Sequence, residues 1–356
     1  MTGRTSLLVA TLTAAACGRD PCAPQRAGVV PEHLCAWGLF QGTGAEQAPA
    51  AGVHAYEVIA PLFTDGAEKL RFFRLPPGGQ VGYSDEGTWE FPVGTVVAKT
   101  FALPRDDRDP TRGRTLIETR LMVREGGGWR PHVYRWNEAQ TDATRLVPGA
   151  RVHVPRVDAA GAAYHQEYRI PSGEDCWTCH ARDGALGLLG LRTRQLARSH
   201  DAHGDQIDHL HTLGLFERAP TPAAERPRLT APDGAGDLDA RARSYLDGNC
   251  GHCHRRGGDA GSTGLWLGSE DQGAGRLGVC KTPRAAGAGA GGLEYDVVPG
   301  SPERSILAFR MSHTEPDIRM PELGALQLDS DGLALIRRWI AAMPASDCAK
   351  AIDAAR

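Results

Sequence analysis

The chain has 356 residues and carries 40 Lys and Arg against 43 Asp and Glu, a formal net charge of −3 at pH 7. Near-balanced charge without a polybasic run argues against a nucleic-acid partner. The length suits two domains, each with its own core, and beyond the first residues no stretch is apolar enough to cross a membrane as a helix.

Residues 1–17, MTGRTSLLVATLTAAAC, combine one Arg, a short apolar run and small residues before Cys17. That pattern predicts a secretory signal. Ala14-Ala15-Ala16-Cys17 also resembles a bacterial lipobox, although Ala14 stands where Leu is usual. Cys17 is then either lipid-modified or beside an ordinary cleavage site. Both readings place the protein in the periplasm or at the outer membrane, with a lipid anchor as its one route to the membrane. Residues 18–53 read as a linker or N-terminal extension.

From 54 to 170 the chain reads as β. Ala55–Ile59, Leu70–Arg74, Thr88–Phe91, Thr95–Phe101 and Thr115–Val123 are short runs rich in Val, Tyr, Phe, Trp and Thr. Gly126-Gly127-Gly128 turns the last of these into Trp129–Trp136, and Val152–Val157 and Tyr164–Ile170 follow. Closely spaced strands without intervening helices predict an all-β, sandwich-like domain. The region has no Cys, so its core must hold it.

After residue 170 the pattern changes to helices and long loops. Ile207, Leu210, His211 and Gly214 fall on one helical face. A Pro-rich linker over 220–236 separates a segment at 171–219 from a region at 237–350. In the latter, Leu238, Ala242, Tyr245 and Leu246 form a face capped by Asp237. A Gly-rich stretch follows from Gly257 to Gly300. Leu333, Ile336, Ile340 and Met343 then predict a final amphipathic helix, capped by Asp329 or Ser330. This second half is expected to be mainly α.

The chemistry rests on two five-residue strings in that half. Cys176-Trp177-Thr178-Cys179-His180 and Cys250-Gly251-His252-Cys253-His254 are both C-x-x-C-H, which attaches haem c. Two thiols three residues apart can each bond one haem, and the adjacent imidazole can ligate its iron. From this composition one such string arises by chance roughly 0.008 times per chain, so two are poorly explained by accident. Zinc held by the four Cys is the main competing reading, but it gives the following His no role. No βαβ setting supports a thioredoxin-like pair. Cys176, Cys179, Cys250 and Cys253 are therefore expected to bind two covalent haem c groups, with His180 and His254 as proximal ligands.

Distal ligands are less evenly marked. Met311, His313 and Met320 are available to the second haem. Met320 is favoured because it sits in a loop, flanked by Arg319 and Pro321, where a core Met is out of place. A thioether favours Fe(II) and raises the potential. For the first haem, His200, His203, His209 and His211 follow the motif, with His211 or His209 preferred. Met122, His153, His165 and an open position remain alternatives. Of nine Cys, four serve haem and Cys17 serves export. Cys22, Cys35, Cys280 and Cys348 remain, an even set suited to an oxidising compartment. Cys22–Cys35 and Cys280–Cys348 is the simplest of three connectivities.

These motifs resemble an uncharacterised family of bacterial dihaem c-type cytochromes, exported or lipid-anchored. The likeness rests on Ala60–Asp65, Phe91–Thr95, Glu118–Leu121, Tyr134–Asn137, Tyr245–Cys250, Val298–Pro302 and Arg319–Gly324. The last of these also resembles the wider cytochrome c superfamily, where the Met of the Met-Pro pair is the distal ligand. That resemblance implies the same role for Met320. The first haem segment is a less typical cytochrome c domain.

The leading expectation is electron transfer between redox partner proteins of the cell envelope. One alternative is a peroxidase-like dihaem enzyme, with catalysis at the first haem. Another is a β-domain that binds a substrate or partner, with Trp129, Tyr134 and Trp136 as the candidate platform, although such residues more often pack in a core.

Overall fold

The computed structural model describes residues 20–353 apart from residues 27, 201, 202, 272 and 285. The expected signal segment and Cys17 lie outside the described residues. No helix among the described residues is long and apolar enough to cross a membrane.

The protein is β-rich. Six strands form one antiparallel sheet in sequence order: β1 (Val53–Ala55), β2 (Glu68–Arg74), β3 (Val96–Pro104), β4 (Arg114–Glu125), β5 (Gly128–Trp136) and β6 (Ala143–Arg145). Two further strands, β7 (Ala150–Val157) and β8 (Ala163–Ile170), pair with each other in a separate sheet, and Val157 also bridges Asp106. Side chains alternate across β3. Val96, Ala98 and Ala102 join a core with Leu34, Leu39, Leu116, Tyr134 and Trp136. Phe101 and Leu103 face the other way, onto Tyr168 and Ile170 of β8. Both faces of the central strands are thus covered, which is why β3 reads as an almost unbroken apolar run.

Polar groups inside the sheet are paired. Thr100 and Thr119 meet at 2.7 Å, and the Trp136 indole donates to Thr119. The Tyr134 hydroxyl donates to the Pro31 carbonyl and accepts from Trp37, both at 2.7 Å. These two contacts fasten the N-terminal extension to the sheet.

Two expected strands differ from the observed ones. Around Thr88–Phe91 there is only an isolated bridge, Gly82 to Glu90. The run at Ala55–Ile59 leaves the sheet after Ala55 because later segments take its backbone groups. Glu57 N–H donates to Gln206, Ile59 N–H to the Gln195 carbonyl, and Ala60 N–H to the Gln195 side chain.

Beyond residue 170 the helices are α1 (Asp175–His180), α2 (Thr193–Leu196), α3 (Gln206–Thr212), α4 (Leu238–Asn249), α5 (Ile306–Met311), α6 (Ser330–Ala342) and α7 (Cys348–Asp353). The second half was expected to be mainly α, and the structure does not support that. Helix makes up only 21% of the described residues, and turns and loops dominate this region. The Gly-rich stretch from 257 to 300 lacks the periodic apolar residues that would give a helix a face to bury.

The two longest helices form as their patterns predict. Asp237 caps α4 through Ala240 N–H, and Asp329 caps α6 through Gly332 N–H. The helices cross tightly at Gly332, where a Cβ would lie 2.4 Å from the Tyr245 ring. Tyr245 donates to Asp329, and Trp339 donates to Asp239. Residues 171–219 do not form a separate core: Leu188, Leu191, Leu196, Ile207 and Leu210 pack with Phe73, Val97 and Met122 of the sheet. Disulfides join Cys22 to Cys35 and Cys280 to Cys348.

Gly248, near the end of α4, is packed against the segment after β1. A Cβ there would lie 2.5 Å from the Ala60 carbonyl oxygen. Helix propensity favours Gly→Ala by up to about 1 kcal/mol, whereas overpacking costs about 1–3 kcal/mol. Gly248→Ala should therefore lower the melting temperature. A higher one would contradict the close approach.

Candidate functional site

The first motif lies entirely in α1. Ser172 and Asp175 cap the helix reciprocally: Ser172 N–H donates to the Asp175 carboxylate at 2.8 Å, and Asp175 N–H to Ser172 Oγ at 3.1 Å. Cys176 and Cys179, three residues apart, then share a face. Both line a cavity together with His180. His180 Nδ1 lies 2.8 Å from the Gly187 carbonyl. A carbonyl can only accept, so Nδ1 carries the proton and Nε2 keeps a lone pair for an iron. Burial pushes the His180 pKa down to about 4, with Lys99 adding to the shift, so the ring is neutral.

The second motif follows α4 as a tight turn. Cys253 and His254 N–H both donate to the Cys250 carbonyl, at 3.1 and 2.9 Å. Cys250, Cys253 and His254 line a second cavity, with Met311 and Met320 also in its wall. Burial pushes the His254 ring down to about 4 and the Cys250 thiol up to about 12. Each cavity thus holds the two thiols and the neutral imidazole of its own motif, a donor set that fits haem c.

Although Cys250 lies 74 residues after Cys176, the two motifs touch. The Cys179 and Cys253 sulfurs and a His252 ring nitrogen all lie within 4.8 Å of one another. Cys253 Sγ also donates to the Thr178 carbonyl at 3.5 Å. A hydrogen bond between the thiols depresses the Cys179 pKa and raises that of Cys253. Cys179, His252 and Leu323 line both cavities, so the cavities adjoin.

The preferred distal residues for the first haem are not brought to its cavity. In α3, Ile207 and Leu210 take the buried stripe of a helix only two turns long. His211 is left exposed, beside Phe216 at 6.4 Å between ring centroids, and His209 stacks on His203 at 4.2 Å. His153 and His165 line a different groove, on β7 and β8. His200's side chain lies outside the described residues. Met122, an alternative from the sequence, does line the first cavity, as do Tyr56, Lys99 and His252. At the second cavity His313 does not contribute; its Nδ1 lies 2.7 Å from the Phe309 carbonyl. Tyr134 and Trp136 are buried and Trp129 packs partly buried against the core, so these aromatics form no exposed platform.

Sequence reasoning missed the cations of the first cavity. Arg71, Lys99 and Arg120 stand directly opposite one another on β2, β3 and β4, and all three line it, with Arg169 beside them. The available signal was a charged residue at an inward position of each strand, where alternation calls for an apolar one. Lys69 lies two residues before Arg71, on the same face of β2. Burial, with Arg71, Lys99 and Arg120 adding to it, pushes its pKa down to about 7.

Comparison of the chain with protein-family models, curated proteins and solved structures finds no match.

The Lys69 shift makes a pH prediction. Its folded pKa, about 7, lies below the ordinary 10.5. Between these values the unfolded chain holds a proton that the folded chain has lost, so this lysine makes stability rise with pH. In the haem-free full chain, melting temperatures from pH 7 to 9 should rise more steeply for wild type than for Lys69→Met. Equal slopes would contradict the shift.

Proposed function

We propose that the protein is a dihaem c-type cytochrome that passes electrons between redox partners in the cell envelope. The observation that carries this reading is the contact between the motifs. Cys179 and Cys253 would each bond a different haem, and their sulfurs lie within 4.8 Å of each other. Thioether attachment at those two atoms would bring the two haems near each other, as electron exchange within one chain requires. When bound, each haem supplies an iron that cycles between Fe(III) and Fe(II).

The chain's own residues support the finer reading. Gly187 orients His180 through its carbonyl. Met320 and Met311 offer soft distal donors at the second cavity. A helix ending in C-x-x-C-H, crossed by a later amphipathic helix, with a Met-Pro loop between them in sequence, is consistent with a small cytochrome c domain over residues 237–350. The four remaining cysteines with described side chains form two disulfides, which suits an exported protein. The likeness to the family of exported dihaem cytochromes points the same way.

A second reading has its own observation. Cys179, His252 and Cys253 cluster closely enough to hold one metal ion such as zinc. The two readings compete for the same atoms, because a sulfur committed to a haem thioether is a poor zinc ligand.

Absorbance and mass of the matured protein decide between them. The haem reading requires two covalent haems per chain, one of which is lost in Cys176→Ala/Cys179→Ala. One zinc per chain and no covalent haem would sink it. Met320→Ala should lower the midpoint potential of one haem and leave the other in place. If both potentials stay put, Met320 is not a ligand.

A further inference from the structure

We propose that the cavity beside the first motif is an anion site, in which Arg71, Lys99 and Arg120 hold carboxylate or oxyanion groups. The proposal deepens the dihaem reading, which supplies one source of such groups, the two carboxylates of the cavity's own haem. A free oxyanion admitted to the cavity is the other source.

The register places the three cations in one row across neighbouring strands: Arg71 opposite Lys99, and Lys99 opposite Arg120. Like charges directly opposite in a sheet destabilise it, and a partly buried row needs compensation. Some is present. Arg120 is held by the buried Glu118 at 2.8 and 2.5 Å, and Tyr168 donates to the same carboxylate. Arg169 faces Asp175 at 3.5 Å.

The other two cations have no such partner. Arg71 donates to the Lys69 carbonyl, and Lys99 sits 5.1 Å from the centroid of the Phe101 ring. Neither has a carboxylate within ion-pair distance among the described residues. Nearby acids are engaged elsewhere: Glu57 pairs with Arg198 at 2.9 Å, and Asp329 accepts from Tyr245 and Gly332. Glu118 and Asp175 partner two of the four cavity-lining cations, which leaves Arg71 and Lys99 without a carboxylate. Two is the number of carboxylates a haem brings.

An unpaired cation row is a poor way to stabilise a sheet and a good way to bind an anion in a site shielded from water. The row lies on the face of β3 that carries Val97 and Phe101 to either side of Lys99, so apolar packing fixes its position.

The test uses the full-length matured protein with Lys99→Gln and Arg71→Gln, and haem per chain is counted first, since that count alone tests the premise. If the haem's carboxylates are the anion, both variants lower the midpoint potential of one haem and leave the other unchanged. Removing a nearby cation favours the oxidised iron. The wild type then takes up neither sulfite nor inorganic phosphate in calorimetry. If the anion is free, the wild type binds sulfite or phosphate, and either variant weakens binding at least tenfold.

Lys99→Arg keeps the charge and should behave as wild type in either arm; loss there too would mean a packing effect and overturn the proposal. Unchanged potentials together with unchanged anion binding would overturn it and leave the haem reading standing. A chain that matures without haem, yet binds phosphate through Lys99 and Arg71, would keep the anion site and overturn the haem reading.

Discussion

The arrangement of both motifs depends on one short segment, residues 59–65, between β1 and β2. Its backbone is hydrogen-bonded to three separate parts of the chain, and its Asp65 side chain to a fourth. Ile59 and Ala60 exchange bonds with Gln195, in the segment after the first motif. Phe63 N–H donates to Asn249 at 2.7 Å, one residue before Cys250. The Asp65 carbonyl accepts from Gln166 of β8. The Asp65 carboxylate accepts from the N–H groups of Leu326 and Gln327 at 2.6 and 2.8 Å, just after the Met320 loop. Buried peptide groups must be paired. A strand that left the sheet at Ala55 could not stay buried without these partners.

The segment therefore does two things. It places the second motif, because Asn249 is held and Gly248 lets the backbones approach. It also holds the loop that carries Met320 against the same cavity. The β-rich part is then a positioning frame for the site. It also contributes to the site directly, since β2, β3 and β4 form one wall of the first cavity.

That wall is where stability and function pull apart. The same sheet buries Phe101, Leu103 and Leu121 completely and satisfies its inner hydroxyls. Yet it carries three cations in register on an inward face. Exposed charges of this kind would be ordinary. Here the cost of crowding and desolvation falls on the fold, and its recovery depends on what enters the cavity. The two motifs are correspondingly unequal. The second cavity has Met311 and Met320 in its wall, whereas the first has Met122 and three cations in register on neighbouring strands.

Much of the local structure was legible in the sequence. Strands β2, β3, β4, β5, β7 and β8 follow from β-branched and aromatic runs with glycine turns, and α4 and α6 from apolar periodicity behind an Asp cap. The C-x-x-C-H spacing by itself determined which thiols and imidazoles lie side by side, because that relation is local: five residues in one turn of chain. Only the tertiary structure decided the rest. The contact between Cys179 and Cys253, the displacement of His209 and His211 from the first cavity, and the alignment of Arg71, Lys99 and Arg120 all join residues from distant segments. Each is set by strand register, by which helix face is buried, or by hydrogen bonds over many residues, and no spacing along the chain encodes those.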